Sequence, residues 1–260
     1  MNHLDATTQW VVYLSTLLRH GDDVRVGGIK NVWTKELQHA HVVYDMAEAY
    51  PWHPARRASK KFAAGEAHWI LTGDDRVATI APYNRRISDY SDDGERFFGA
   101  YGPRVRAQLA YVLTTLRADP SSRQAVINLW RDAPPRSKDL PCTTTLIFQI
   151  RRGKLDLHVF MRSSDAWLGV PYDWFNYAML AALVVLELRP LELELGRCFW
   201  TTASGHLYEE HLEAAGKIML PHEDAARPPR LELGLIAGPA HLLALLRDAA
   251  DADRWPEWLS

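Results

Sequence analysis

The chain predicts an α+β fold: a mixed sheet packed with helices. Three observations carry this. Helical and strand-like patterns follow one another without regular alternation, two apolar runs meet at a tight Arg152-Gly153 turn, and a long apolar helix comes after them. Residues 8–20 put Trp10, Val11, Tyr13, Leu14, Leu17 and Leu18 on a helical pattern that Gly21 closes. Helices are expected over 55–71 and 105–116, and a strand over 124–130. Residues 143–151 and 154–161 read as the two hairpin strands. Pro171 suits a first helical turn, and 172–187 continues as a mostly apolar, buried helix. A strand over 192–201 and helices over 208–217 and 240–248 complete the order. The Pro-rich stretches 132–136 and 227–230 read as loops. No repeat or domain boundary is visible, so 1–260 is expected to be one domain.

Charge narrows the function. The chain has 260 residues, with 30 Lys and Arg against 32 Asp and Glu. That balance argues against a general nucleic-acid binder, and any phosphate site must be a local arginine cluster. Two cysteines do not make a disulfide scaffold. The longest apolar run, 178–188, is too short to span a bilayer, and the first twenty residues lack a signal-peptide pattern. A soluble, cytoplasmic protein is expected.

Three segments carry chemistry. Cys142, in Asp139-Leu-Pro-Cys, sits on a loop that opens a strand. Alone, such a thiol is more often a small buried hydrophobe; as a nucleophile it needs nearby cations, for which Arg25, Arg123 and Arg162 are candidates. Arg162-Ser163 stands at a strand-to-helix junction, a weak phosphate signal by itself. His206 and Tyr208 alternate on extended chain and could reach one hydroxyl, although a structural histidine is the commoner explanation.

Together these segments, in this order and spacing, resemble thymidylate synthase. The family's Pro-Cys, Arg-Ser-x-Asp-x-x-Leu-Gly-x-Pro-x-Asn-x-x-x-Tyr and His-x-Tyr motifs are met by Pro141-Cys142, by Arg162 to Tyr177, and by His206 and Tyr208. Glu66-Ala-His-Trp, Tyr101-Gly102 and Ser122-Arg123 extend the match. The resemblance is clear over 55–217, loose before it and absent after about Met219. It implies a homodimer formed through the sheet. Its substrates would be a pyrimidine nucleoside monophosphate and 5,10-methylenetetrahydrofolate, with no metal, nucleic acid or membrane involved. By the same resemblance Cys142 attacks C6, Glu66 organises proton transfer and water, and Tyr101 assists loss of the C5 proton. Arg25, Arg162, Ser163 and the partner's Arg123 would hold the phosphate, His206 and Tyr208 the 3′-hydroxyl, and Asp165 the pterin. Arg162 is also expected to help lower the pKa of Cys142.

The departures point to a branch. Asp173 replaces the asparagine that reads uracil. A carboxyl accepts from cytosine's N4 amino group and can share a proton with N3, while it repels uracil O4. That exchange resembles the family's cytidylate hydroxymethylases, in which water and not folate hydride completes the reaction. The segment 83–90 lacks the synthase tryptophans and the end 254–260 is unlike the synthase tail, both consistent with a wetter site. Thr143 stands for a histidine, Met161 for a glutamine, and Arg123-Gln124 for an arginine pair. An Ala- and Arg-rich composition, suggestive of a high-GC genome, tilts the substrate toward CMP, as in nucleoside-antibiotic pathways such as that of mildiomycin, over the dCMP of phage DNA modification. Small Ala166 leaves room for a ribose hydroxyl. A methylase of dUMP or dCMP and an inactive nucleotide binder are the alternatives. A zinc deaminase would need a second cysteine after Pro141-Cys142 that is absent.

Overall fold

The computed structural model describes residues 4–26, 32–218 and 230–252. In chain order the elements are α1 (Ala6–His20), β1 (Asp22–Val26), β2 (Val32–Asp45), α2 (Lys60–Thr72), α3 (Val77–Ile80), α4 (Tyr101–Ala118), β3 (Val126–Asn128), β4 (Thr143–Arg151), β5 (Lys154–Asp165), α5 (Val170–Glu187), β6 (Glu194–Tyr208), α6 (Leu212–Ile218) and α7 (Pro239–Ala252). The six strands form one sheet in the order β1-β2-β6-β5-β4-β3. Neighbours are antiparallel except β5 and β6. Parallel strands cannot be joined by a hairpin, and α5 supplies the crossover between them. No helix of the described residues is long and apolar enough to cross a membrane.

Local chemistry explains the best-read elements. Asp5 caps α1 by accepting from Thr8 N at 2.8 Å. At the β4–β5 turn, Arg152 and Gly153 have φ of 55° and 73°. Two left-handed central residues make the hairpin turn whose twist suits antiparallel strands. Leu146 and Phe148 on β4, Leu157 and Val159 on β5, and Cys198 and Trp200 on β6 are buried. α5 packs on this sheet, where Trp174 stacks on Tyr44 at 4.6 Å and meets Trp200 edge-on at 5.8 Å. The alternate residues face the other way and stay partly open: Phe160 is 42% exposed, and Ile147 and Phe199 are half-buried.

Several boundaries differ from the sequence expectation. The helix expected from 55 begins at Lys60, where Ser59 accepts from Phe62 N at 3.1 Å. The helix expected from 105 begins at Tyr101, because Pro103 in a first turn has no donor to lose. The strand expected over 124–130 shortens to Val126–Asn128. The strand expected to end at 201 continues to Tyr208, and helix α6 starts only at Leu212. Residues 202–206, Thr-Ala-Ser-Gly-His, read like a turn. They stay extended because β2 pairs on one side and β5 on the other. β1 and β2 occupy residues to which the sequence pattern assigned nothing. The chain end 254–260 and the loop residues 227–229 lie outside the described residues.

Candidate active site

Cys142 precedes β4 and faces a cavity between that strand and helices α2, α4 and α5. Glu66, Trp69, Ile87, Tyr90, Tyr101, Asp139, Asp173 and Asn176 line it with Cys142. The packing of α2 on α5, through Phe62 edge-on to Tyr172 at 4.8 Å, brings Glu66 and Asp173 to one cavity. A wider concavity of about 650 Å³, against about 170 Å³ here, lies on the opposite sheet face among Arg151, Lys154, Asp156 and Arg197. It holds no cysteine, so volume does not decide the site.

Arg162 holds the nucleophile loop. Its Nε donates to Pro141 O at 2.9 Å and its Nη2 to Leu140 O at 3.0 Å, with Cys142 Sγ 3.7 Å from Nη2. The expected lowering of the thiol pKa is outweighed. Burial pushes Cys142 up to about 11, Arg162 opposes this, and Asp173, Asp139 and Asp165 add to it. The resting group is therefore a thiol. The main cause, burial, was invisible in sequence, as was the approach of Asp173 and Asp165, which reach the cysteine only in space.

The three carboxyls that line the cavity, Glu66, Asp139 and Asp173, are all raised, each chiefly by burial. Burial lifts Glu66 to about 7 against the donation of Asn176, and it lifts Asp173 well above the carboxylate range, with Glu66 and Asp165 adding to the effect. Asp173 makes no side-chain hydrogen bond among the described residues, and its Oδ2 faces Gly169, where a Cβ would lie 3.3 Å away. Tyr101 Oη accepts from Thr143 N at 3.1 Å and from Thr143 Oγ1 at 3.0 Å, which leaves its own proton to donate. Thr143 Oγ1 lies 2.6 Å from Tyr177 Oη, which reaches Met161 Sδ at 3.4 Å. Thr143 and Met161, separate departures in sequence, thus belong to one buried network.

The other expected residues stand apart from this cavity. Ser163 Oγ lies 3.4 Å from His206 Nδ1, and the His206 ring meets Tyr208 edge-on at 5.1 Å. Burial lowers the pKa of His206 and Asp165 opposes it. One Asp165 oxygen accepts from Trp167 N at 2.8 Å and Leu168 N at 2.9 Å, fixing the turn into α5. Arg25 is exposed on edge strand β1, paired with Trp33, and Arg123 is exposed between α4 and β3. Neither lines the cavity. Sequence reasoning missed Asn176, Trp69 and Asp139 as lining residues. Trp69 had a readable signal, one helical turn beyond Glu66 on the same face. Among the described residues no cluster of three His, Cys, Asp or Glu is set to hold a metal.

Comparison with known proteins identifies the family. The family model described as thymidylate synthase matches residues 8–241. A thymidylate synthase of Corynebacterium aurimucosum is 29% identical over 209 residues, covering 76% of this chain and 75% of that one. The chain belongs to the thymidylate synthase family, whose chemistry is folate-dependent one-carbon transfer to a pyrimidine nucleotide.

Proposed function

We propose that the protein is a cytidylate 5-hydroxymethyltransferase, with CMP favoured over dCMP. It uses 5,10-methylenetetrahydrofolate and water to make the 5-hydroxymethyl nucleotide and tetrahydrofolate. The observation that carries this is Asp173: a raised-pKa carboxyl in the Cys142 cavity, at the motif position where an amide would read uracil. Held protonated, it offers one donor to cytosine N3 and one acceptor to the N4 amino group.

In this reading Cys142 adds to C6 of the base, and Arg162 holds the loop that aims it. The folate supplies the one-carbon unit to C5. Trp69, Ile70 and Ile87 give the cavity an apolar wall that fits a flat heteroaromatic ring, and Asp165 is assigned to the pterin. The Tyr101 hydroxyl assists loss of the C5 proton. Glu66, poised near neutrality, serves as base toward the water that adds to the exocyclic methylene. Arg25, Arg162, Ser163 and an Arg123 contributed across a homodimer hold the phosphate, while His206 and Tyr208 hold the 3′-hydroxyl. The partly open sheet face around Phe160 supports a dimer through the sheet.

A second reading is C5 methylation of dUMP or dCMP. It draws on the similarity to the Corynebacterium enzyme and on Trp69, an aromatic beside Glu66 that could exclude water. Mass analysis of products from CMP, dCMP and dUMP with methylenetetrahydrofolate separates the two. A hydroxymethyl product without dihydrofolate is expected; a methylated base with dihydrofolate rejects the first reading. Failure of every nucleotide to release C5 tritium would instead identify an inactive binder.

A further inference from the structure

Asn176 lies one turn beyond Asp173 on α5, is 5% exposed and lines the Cys142 cavity. Its Nδ2 donates to Glu66 Oε2 at 2.8 Å. With Glu66 ionised, the reverse amide orientation would set two acceptors against each other at that distance. Its Oδ1 is buried with no partner. An unpaired buried acceptor costs stability, and a leucine of similar size would remove that cost. What the asparagine contributes in return is its donor, spent on one carboxyl.

Glu66 and Asp173 line the same cavity and the charge of Glu66 disfavours that of Asp173, so which carboxyl ionises first depends on which is better solvated by donors. The groups facing them come from every surrounding element. They are Cys142 and Asp139 from the loop before β4, Tyr44 from β2, Tyr101 from α4, Asp165 from β5 and Tyr177 from α5, with Arg162 of β5 beside Cys142. The cation among these, Arg162, spends its hydrogen bonds on Leu140, Pro141 and Cys142. Among the described residues, the Asn176 amide is the hydrogen bond that distinguishes the two carboxyls.

We propose that Asn176 is a positioning residue: by donating to Glu66 it makes that group the first of the pair to ionise and leaves the proton on Asp173, where it meets cytosine N3. The proposal rests on the cytidylate reading for its last clause only. A neutral Asp173 then presents the donor and acceptor that cytosine complements, whereas a charged one presents two acceptors.

Carbon-13 NMR titration of side-chain carboxyls in the full chain tests this without turnover, with Glu66→Gln and Asp173→Asn giving the assignments. Glu66 should release its proton at lower pH than Asp173. In Asn176→Leu the Glu66 midpoint should rise by about one to two units, the worth of a charge-assisted hydrogen bond, and Asn176→Gln should bring it back. Asn176→Ala gives the same reading if the leucine variant does not fold. An unmoved Glu66 midpoint overturns the proposal. A parent enzyme that prefers dUMP overturns the cytidylate reading, and the titration still decides the role of Asn176.

Discussion

Around Cys142, Glu66 and Tyr101 are enclosed and held by hydrogen bonds, whereas Arg25 and Arg123, two of the residues proposed to meet the phosphate, stand exposed on an edge strand and a loop. Glu66 is held by Asn176, and Tyr101 by Thr143, inside the packing of α2, α4 and α5. Arg25 and Arg123 sit on an edge strand and a loop, outside that cavity. The difference follows from what each end has to do. Proton positions at the base survive only where water is excluded, so those groups are set in advance. A phosphate is captured by charge, and solvated arginines can close on it at little cost to the folded chain. In the proposed reading, specificity belongs to the enclosed end and capture to the open one.

That contrast can be broken at either end. Cys142→Ser should give the largest effect, loss of all turnover with nucleotide binding retained; catalysis by the serine variant would remove the thiol from the reaction. Asp173→Asn should lower the ratio of kcat/KM for CMP over dUMP roughly tenfold to a hundredfold, equivalent to about 1–3 kcal/mol of mismatched buried hydrogen bonding. An unchanged ratio would mean that the base is read elsewhere.

Stability against pH sharpens the enclosed end. Folded Glu66 keeps its proton to about pH 7, against an ordinary value of 4.5. The native state binds more protons in that window, so this group's contribution is full below about 4.5 and is lost as pH rises through about 7. Glu66→Gln should accordingly gain about 1–3 kcal/mol over the parent between pH 5 and pH 8, read from urea unfolding at both. A constant difference would show that the carboxyl is not desolvated. The smallest effect is expected at the open end. Arg25→Ala should raise KM for the nucleotide several-fold at low salt with kcat unchanged, and the difference should shrink as salt screens the exposed charge. A fall in kcat instead would place Arg25 in the chemistry.

How far the sequence reached can be traced through particular elements. The ends of β4 were legible at both residues, because alternating apolar side chains run into a two-residue turn. β2 was not legible, since its outward-facing Lys, Gln and His hide the alternation and it is long only because β6 pairs along it. β6 itself was read seven residues short for the same reason. In the site, motif spacing marked Cys142, Glu66, Tyr101 and Asp173, all of which line one cavity. Asn176 carried no signal: one polar residue on an apolar helix gives no sign of which neighbour it serves.

By itself, then, the amino-acid order determined the fold class, the hairpin, the buried crossover helix and the residue types that carry chemistry. The elements follow from periodicity, a property of neighbours along the chain, and the chemistry-bearing residues from the resemblance of their motifs to a known family. Only the folded chain decided the charge states. Whether Cys142 rests as a thiol, where Glu66 titrates and which carboxyl keeps a proton depend on desolvation and on donors brought from α2, α4, β5 and α5. Those contributions act through space over a few ångströms between residues up to about a hundred positions apart, and no local pattern encodes them.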